Sequence, residues 1–347
     1  MNNPFNITFG DEPSNFIPRR NELEQITDSF NSDNPDSKAY IITGPRGSGK
    51  TVLLRHIKHI YDEKENWLTV DLNPYGNMIE QLCAQLYESG KVKHLFIKTE
   101  FNFSFSGFGI SIHGDDPISN LSSLADKILS YLTKKKIRIL LLIDDVLKNE
   151  HTQFFVHAFQ EFIGEKYNVF LLMSGLYENI NTLELDSGLT FLVRASKIYM
   201  EKLSQVAIAN SYMRLLKVDK ETAIELSKIS MGYPYGFQLL GNLLYTNNCV
   251  LDDELFEKYD MILEEKVYSL IWKNLSKKDK EILIIIAKGN NKTDSIIQKA
   301  DISNSALQVY KKRLLKAGLI ETPYRGEIYL ALPRLKEYIL IQKEFEL

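Results

Sequence analysis

The sequence predicts an α/β protein: a five-stranded parallel sheet with helices, then an α-helical domain, then a C-terminal winged helix-turn-helix. Three observations carry this. Five short apolar runs, at 38–43, 67–72, 137–143, 169–174 and 196–201, alternate with amphipathic helical stretches. They lack the period of two that half-exposed strands show, so they suit strands buried on both faces. The second observation is "GPRGSGKT", residues 44–51, set between the first run and a helix-like stretch. Third, residues 277–287, 294–300 and 305–317 read as helices, the last two joined by Asp301-Ile302-Ser303, with a Gly326-centred hairpin following.

A chain of 347 residues has room for two or three domains of about 100 to 200 residues each. The expected divisions are 1–202 for the sheet domain, 203–270 for helices alone, and 271–347 for the winged helix. The middle stretch is broken at Gly232-Tyr233-Pro234 and near Asn247-Asn248. Within the first domain, residues 99–114 carry an insertion, "FNFSFSGFGISIH". Read with Ser106 and Gly107 as a two-residue turn, it pairs Phe105 with Phe108, Phe103 with Ile110 and Phe101 with Ile112. That face packs on the body or meets a neighbouring subunit or nucleic acid.

Bulk properties exclude several classes. No apolar run approaches the roughly 18 to 20 residues a bilayer span requires, so no membrane partner is expected. The start, Asn2-Asn3-Pro4, has neither a basic nor an apolar stretch, so the expectation is a cytoplasmic protein without a signal peptide. Cys83 and Cys249 stand alone, which gives neither a disulfide framework nor a zinc site. Net charge is −3, unevenly spread. From Lys273 onward 15 Lys and Arg face 9 Asp and Glu, a surplus of six positive charges on an otherwise acidic chain. A basic tail hints at an anionic partner.

Residues 44–51 satisfy G-x-x-x-x-G-K-[ST] in the required strand-to-helix context. Gly44, Gly47 and Gly49 let the backbone curl so that N–H groups converge on phosphate oxygens, and the helix adds its positive end. Pro45, Arg46, Ser48 and Val52 complete the candidate loop. Lys50 would reach the β and γ phosphates of ATP, and Thr51 would hold Mg²⁺. A carboxylate at the exit of a buried strand is costly unless it meets a cation. Asp144, at the end of "ILLLIDDV", is therefore the second magnesium-ordering candidate, with Asp145 beside it as the candidate base. Ser174, after "VFLLM", either orients the attacking water or γ-phosphate, or caps the next turn.

With these motifs the chain resembles the AAA+ and STAND superfamily of P-loop ATPases, in particular the prokaryotic branch similar to origin-recognition initiators. The resemblance covers nearly the whole chain. In "FIPRRNELEQI", Arg19, Glu22 and Leu23 match the family's N-terminal box, where Pro18 replaces the usual Gly; it implies that Arg19 lies at the nucleotide. Ser174 falls at sensor 1, and Arg194 falls where an arginine finger enters a neighbouring subunit's site, which implies a homo-oligomer in the ATP state. Asp145 stands where such ATPases usually carry Glu, which implies slow hydrolysis. "GYPYGFQLLG" lacks a sensor 2 Arg and resembles the Gly-x-Pro motif of STAND switches, which puts Pro234 at the nucleotide.

In the last of the three tail helices, Ser303 or Asn304 can cap the start. Ser305, Gln308, Lys311 and Lys312 alternate with an expected core set of Ala306, Val309, Tyr310, Leu314 and Leu315. That exposed face, with Arg325 at the wing tip, suits double-stranded DNA. Two functions stay open: an AAA+ ATPase assembling on DNA, and a STAND-like switch acting on a protein partner.

Overall fold

The computed structural model describes residues 3–8, 15–91, 103–105, 110–112 and 117–345. The chain divides into two compact units, one of Arg20–Thr43 with Lys50–Ile198, the other of Met1–Arg19, Gly44–Gly49 and Tyr199–Leu347.

In the first unit the strands are β1 (Ala39–Thr43), β2 (Trp67–Asp71), the short pair β3 (Phe103–Phe105) and β4 (Ile110–Ile112), β5 (Arg138–Ile143), β6 (Val169–Gly175) and β7 (Ser196–Tyr199). The helices are α1 (Arg20–Asn31), α2 (Lys50–Asp62), α3 (Met78–Glu88), α4 (Pro117–Lys134), α5 (Glu150–Gly164), α6 (Tyr177–Glu184) and α7 (Thr190–Arg194). All five expected sheet strands form, in the order β2-β5-β6-β1-β7. The β2–β5, β5–β6 and β6–β1 pairs are parallel.

Both faces of the sheet are covered, which is why its strands read as continuous apolar runs. Ile41, Leu141, Ile143, Leu171 and Met173 share a cluster with Leu82 of α3, Ile128 of α4 and Phe159 of α5. On the other face Phe30 of α1 meets Tyr40 and Phe170, with ring centroids 5.5 and 5.1 Å apart. The register pairs Ile143 with Met173, so Asp144 and Ser174 come side by side at the carboxyl edge.

The insertion forms a hairpin, but in a different register from the expected one. Phe103 pairs with Ile112, Ser104 with Ser111 and Phe105 with Ile110. Four residues, two of them glycine, separate the paired Phe105 and Ile110, where a two-residue turn was expected. The slip is by two positions, an even number, so apolar residues still pair with apolar and serine with serine. Phe101, Ser106, Gly107 and Phe108 lie outside the described residues.

The second unit contains α8 (Gln205–Leu216), α9 (Lys220–Ser230), α10 (Pro234–Thr246), α11 (Asp253–Leu263), a π-helical turn (Glu264–Tyr268), α12 (Ser269–Asn274), α13 (Lys277–Ala287), α14 (Thr293–Ala300), α15 (Asn304–Lys316), β8 (Ile320–Glu321), β9 (Tyr329–Leu330) and α16 (Leu335–Phe345). β8 and β9 form an antiparallel hairpin. A single apolar cluster joins Tyr212, Phe237 and Tyr259 to Ile282, Leu307 and Ile339. Packing is therefore continuous across residue 270, because α11 runs through the π turn into α12 without a loop. Tyr268 donates to the Pro333 carbonyl, and its ring lies 5.6 Å from that of Tyr338.

The N-terminal segment threads this core, which sequence reading missed. Phe5 is buried between Tyr212 and Phe237, at 5.9 and 5.8 Å. Ser303 caps α15 by accepting from the Ala306 N–H at 3.1 Å. The buried stripe of α15 is Leu307 and Leu314, seven residues apart and hence on one face. Val309, expected in the core, is 63% exposed, since it sits about 200° round the helix from Leu307. Ala306, Tyr310 and Leu315 are half-buried.

Candidate active site

β1 ends at Thr43, opposite Gly175, and the chain turns through Gly44–Gly49 into α2, which opens with Lys50 and Thr51. The loop is held from behind by three donors. The Tyr233 hydroxyl donates to the Arg46 carbonyl at 2.5 Å. The Tyr235 N–H, in the first turn of α10, donates to the Gly47 carbonyl at 3.1 Å. Buried Arg19 donates through Nη2 to the Ser48 carbonyl at 3.0 Å. A trans peptide points its C=O and N–H in opposite directions. Fixing these carbonyls therefore turns the N–H groups of Gly47 and Gly49 the other way, as a phosphate cradle requires.

Gly47 has φ +76°, and a Cβ there would collide with the Tyr233 hydroxyl and lie 2.8 Å from Tyr235 Cβ. Only glycine meets both demands. Burial pushes the Tyr233 phenol well above its usual range, so it stays a donor at any physiological pH. Pro234 occupies the first position of α10, where its missing N–H costs nothing. The Ser48 Oγ is buried and has no hydrogen-bond partner among the described residues. Gly318 also packs against the loop, at Pro45: it has φ +71°, and a Cβ there would lie 2.7 Å from Pro45 Cδ.

At the carboxyl edge of the sheet, the buried Ser174 hydroxyl donates to Asp144 Oδ1. The Asp145 N–H donates to the same carboxylate oxygen at 3.1 Å and reaches Ser174 Oγ at 3.3 Å. Asp145 takes φ +53° and is exposed; Asp tolerates this left-handed conformation better than most residues. The Ser174 hydroxyl thus orients the Asp144 carboxylate in the structure. Among the described residues no group of three or more His, Cys, Asp or Glu could hold a metal ion. Magnesium does not need one, since a hydroxyl and one carboxylate suffice beside substrate phosphates and water.

Arg194 ends α7 and is exposed. The turn that precedes α7 is anchored by Asp186, which accepts from Lys148 Nζ at 2.9 Å, Gln153 Nε2 at 2.7 Å and the Gly188 N–H at 3.0 Å. These partners hold its carboxyl down at about 2. In the tail, Ser305, Gln308, Lys312 and Arg325 are exposed and Lys311 is half-buried. No helix among the described residues is long and apolar enough to cross a membrane.

Residues 16–175 match the family described as "ATPase domain predominantly from Archaea". Three solved structures align over nearly their full length. The Walker-type ATPase PABY2304 of Pyrococcus abyssi has a TM-score of 0.63 at 15% identity, covering 94% of this chain and 96% of that one. The Aeropyrum pernix ORC2 protein, in its ADPNP–ADP complexes, gives 0.58 at 15% over 98% of both chains. Cdc6p from Pyrobaculum aerophilum gives 0.51 at 16%, also over 98% of both.

The chain has the fold of an origin-recognition-like P-loop ATPase. At these identities the likeness is one of fold. Residues 265–339 match a domain of unknown function, DUF8462, and no curated protein matches the sequence. Sequence reading chose Pro234 and passed over the tyrosines on either side of it. A tyrosine hydroxyl beside the proline of a Gly-x-Pro helix start was the available signal. Gly318 left none, because its role depends on a contact with a residue 273 positions away in the chain.

Proposed function

We propose that this protein binds ATP with Mg²⁺ and hydrolyses it slowly, and that nucleotide state controls a C-terminal winged helix that binds duplex DNA. The observation that carries the reading is the set of loop carbonyls held by Tyr233, Tyr235 and Arg19. The Gly47 and Gly49 N–H groups and the Ser48 hydroxyl, which has no hydrogen-bond partner among the described residues, would face a phosphate group, while the Ser48 N–H donates to the Pro45 carbonyl at 3.2 Å. Gly44–Thr51 would cradle the triphosphate, with Val52 following in α2 and Pro234 and Arg19 fixing the loop. Lys50 would neutralise the β and γ phosphates. Thr51 and Asp144 would hold Mg²⁺, which supplies charge neutralisation when bound. Asp145 is the candidate base, one methylene shorter than Glu. Arg194 would complete a neighbouring subunit's site in a homo-oligomer.

The Pro45–Gly318 contact favours a second reading, in which the tail rests on the nucleotide loop as a STAND-like switch and opens toward a protein partner.

Steady-state ATP hydrolysis, titrated with duplex DNA at fixed salt, separates the two. Saturable stimulation that vanishes in Arg194→Ala supports DNA-dependent assembly. A slow rate indifferent to duplex overturns that reading in favour of the switch.

A further inference from the structure

α15 presents Ser305, Gln308, Val309 and Lys312 on one exposed face, at the i, i+3, i+4, i+7 spacing of a single helical stripe. Val309 is 63% exposed at its centre. The helix has no Asp or Glu, and exposed Lys312 on the stripe with half-buried Lys311 beside it gives this face a positive charge that suits a polyanion. It is also rigidly held. Arg313 Nη2 pairs with buried Asp279 Oδ2 at 2.6 Å and its guanidinium lies 5.2 Å from the Tyr310 ring. Farther along, Lys316 lies 5.6 Å from the Tyr199 ring. The N-terminal half is the open part, and it is this half of a recognition helix that meets base edges.

Resting on the duplex-DNA reading above, we propose that Val309 reads a thymine C5-methyl group in the major groove. Thymine alone among the four bases offers an apolar group there. Solvated Lys312 beside it suits a phosphate. Gln308, whose Nε2 now donates to Asn304 Oδ1 at 3.2 Å, has the amide chemistry that pairs with adenine edges. The ligand class is therefore a duplex with an A·T step under the centre of α15.

The test enriches a random duplex pool on the full-length protein, then compares the enriched duplex with a copy in which deoxyuridine replaces thymidine, deleting only the methyl groups. Wild type should lose about fourfold in affinity per contacted methyl. Val309→Asn, a polar change at an exposed position, should bind both duplexes alike. Equal binding of the two duplexes by wild type, or no thymine in the enriched pool, overturns the inference while leaving DNA binding intact. Absence of any salt-dependent duplex binding, with Lys311→Ala/Lys312→Ala no different from wild type, overturns the DNA reading itself. Binding of a protein in place of duplex by the same face would appear as that second outcome.

Discussion

The phenol of Tyr233 donates its proton to the carbonyl oxygen of Arg46 across 2.5 Å, tying the start of α10 to the back of the glycine loop. Tyr233→Phe keeps the ring and deletes this one bond. Expected are a stability loss of about 1 to 2 kcal/mol and several-fold faster ADP dissociation. Urea unfolding and stopped-flow release of a fluorescent ADP check both. Unchanged release would separate the contact from nucleotide handling.

Gly47→Ala meets two obstacles, a positive φ and the side chains of Tyr233 and Tyr235. The backbone term alone is about 1 to 2 kcal/mol, so the loop should shift and ATP affinity fall by at least about tenfold. Lys50→Ala removes a charge, and the loss of a charged hydrogen bond to phosphate predicts a drop of about 10- to 100-fold. Calorimetric titration with ATP compares the two. Wild-type affinity in Lys50→Ala would remove the cradle assignment.

Ser174→Ala takes away a hydroxyl that holds Asp144 but leaves the Asp145 N–H in place at 3.1 Å. Hydrolysis should slow about tenfold or more, with ATP affinity within about twofold of wild type. A kcat that does not change would make Ser174 a purely structural residue.

The carboxyl of Asp186 is depressed to about 2 by Lys148, Gly188 and Gln153. A depressed acid stabilises the fold fully above its unfolded pKa, near 3.9, and that contribution disappears as pH falls through about 2. Between pH 4 and pH 2 the wild type should therefore lose more stability than Asp186→Asn. Parallel melting curves for the two proteins over that window would contradict the assignment.

Much of the sheet was legible because double burial writes itself as unbroken apolar runs between helical stretches, as at residues 139–143. Asp144 could be placed beside Ser174 once both strands were recognised. The hairpin register was not legible, since pairings with Phe105 opposite either Phe108 or Ile110 satisfy the same alternation. Val309 was misplaced because Leu307, Val309, Tyr310 and Leu314 offer two overlapping helical stripes, and only packing selects between them. The partnership of Tyr233 with Arg46 depends on a chain separation of 187 residues, which no local pattern encodes.

Gly318, just beyond α15, packs against the ring of Pro45, which a Cβ there would meet at 2.7 Å. One side of this contact belongs to the loop that would grip phosphate, the other to the segment that carries the candidate base-reading helix. Thermodynamic linkage is symmetric. Whatever factor nucleotide imposes on duplex affinity through Pro45 and Gly318, duplex must impose on nucleotide affinity in turn. A tenfold effect, about 1.4 kcal/mol, would make the loop a sensor of what the tail has bound as much as its controller.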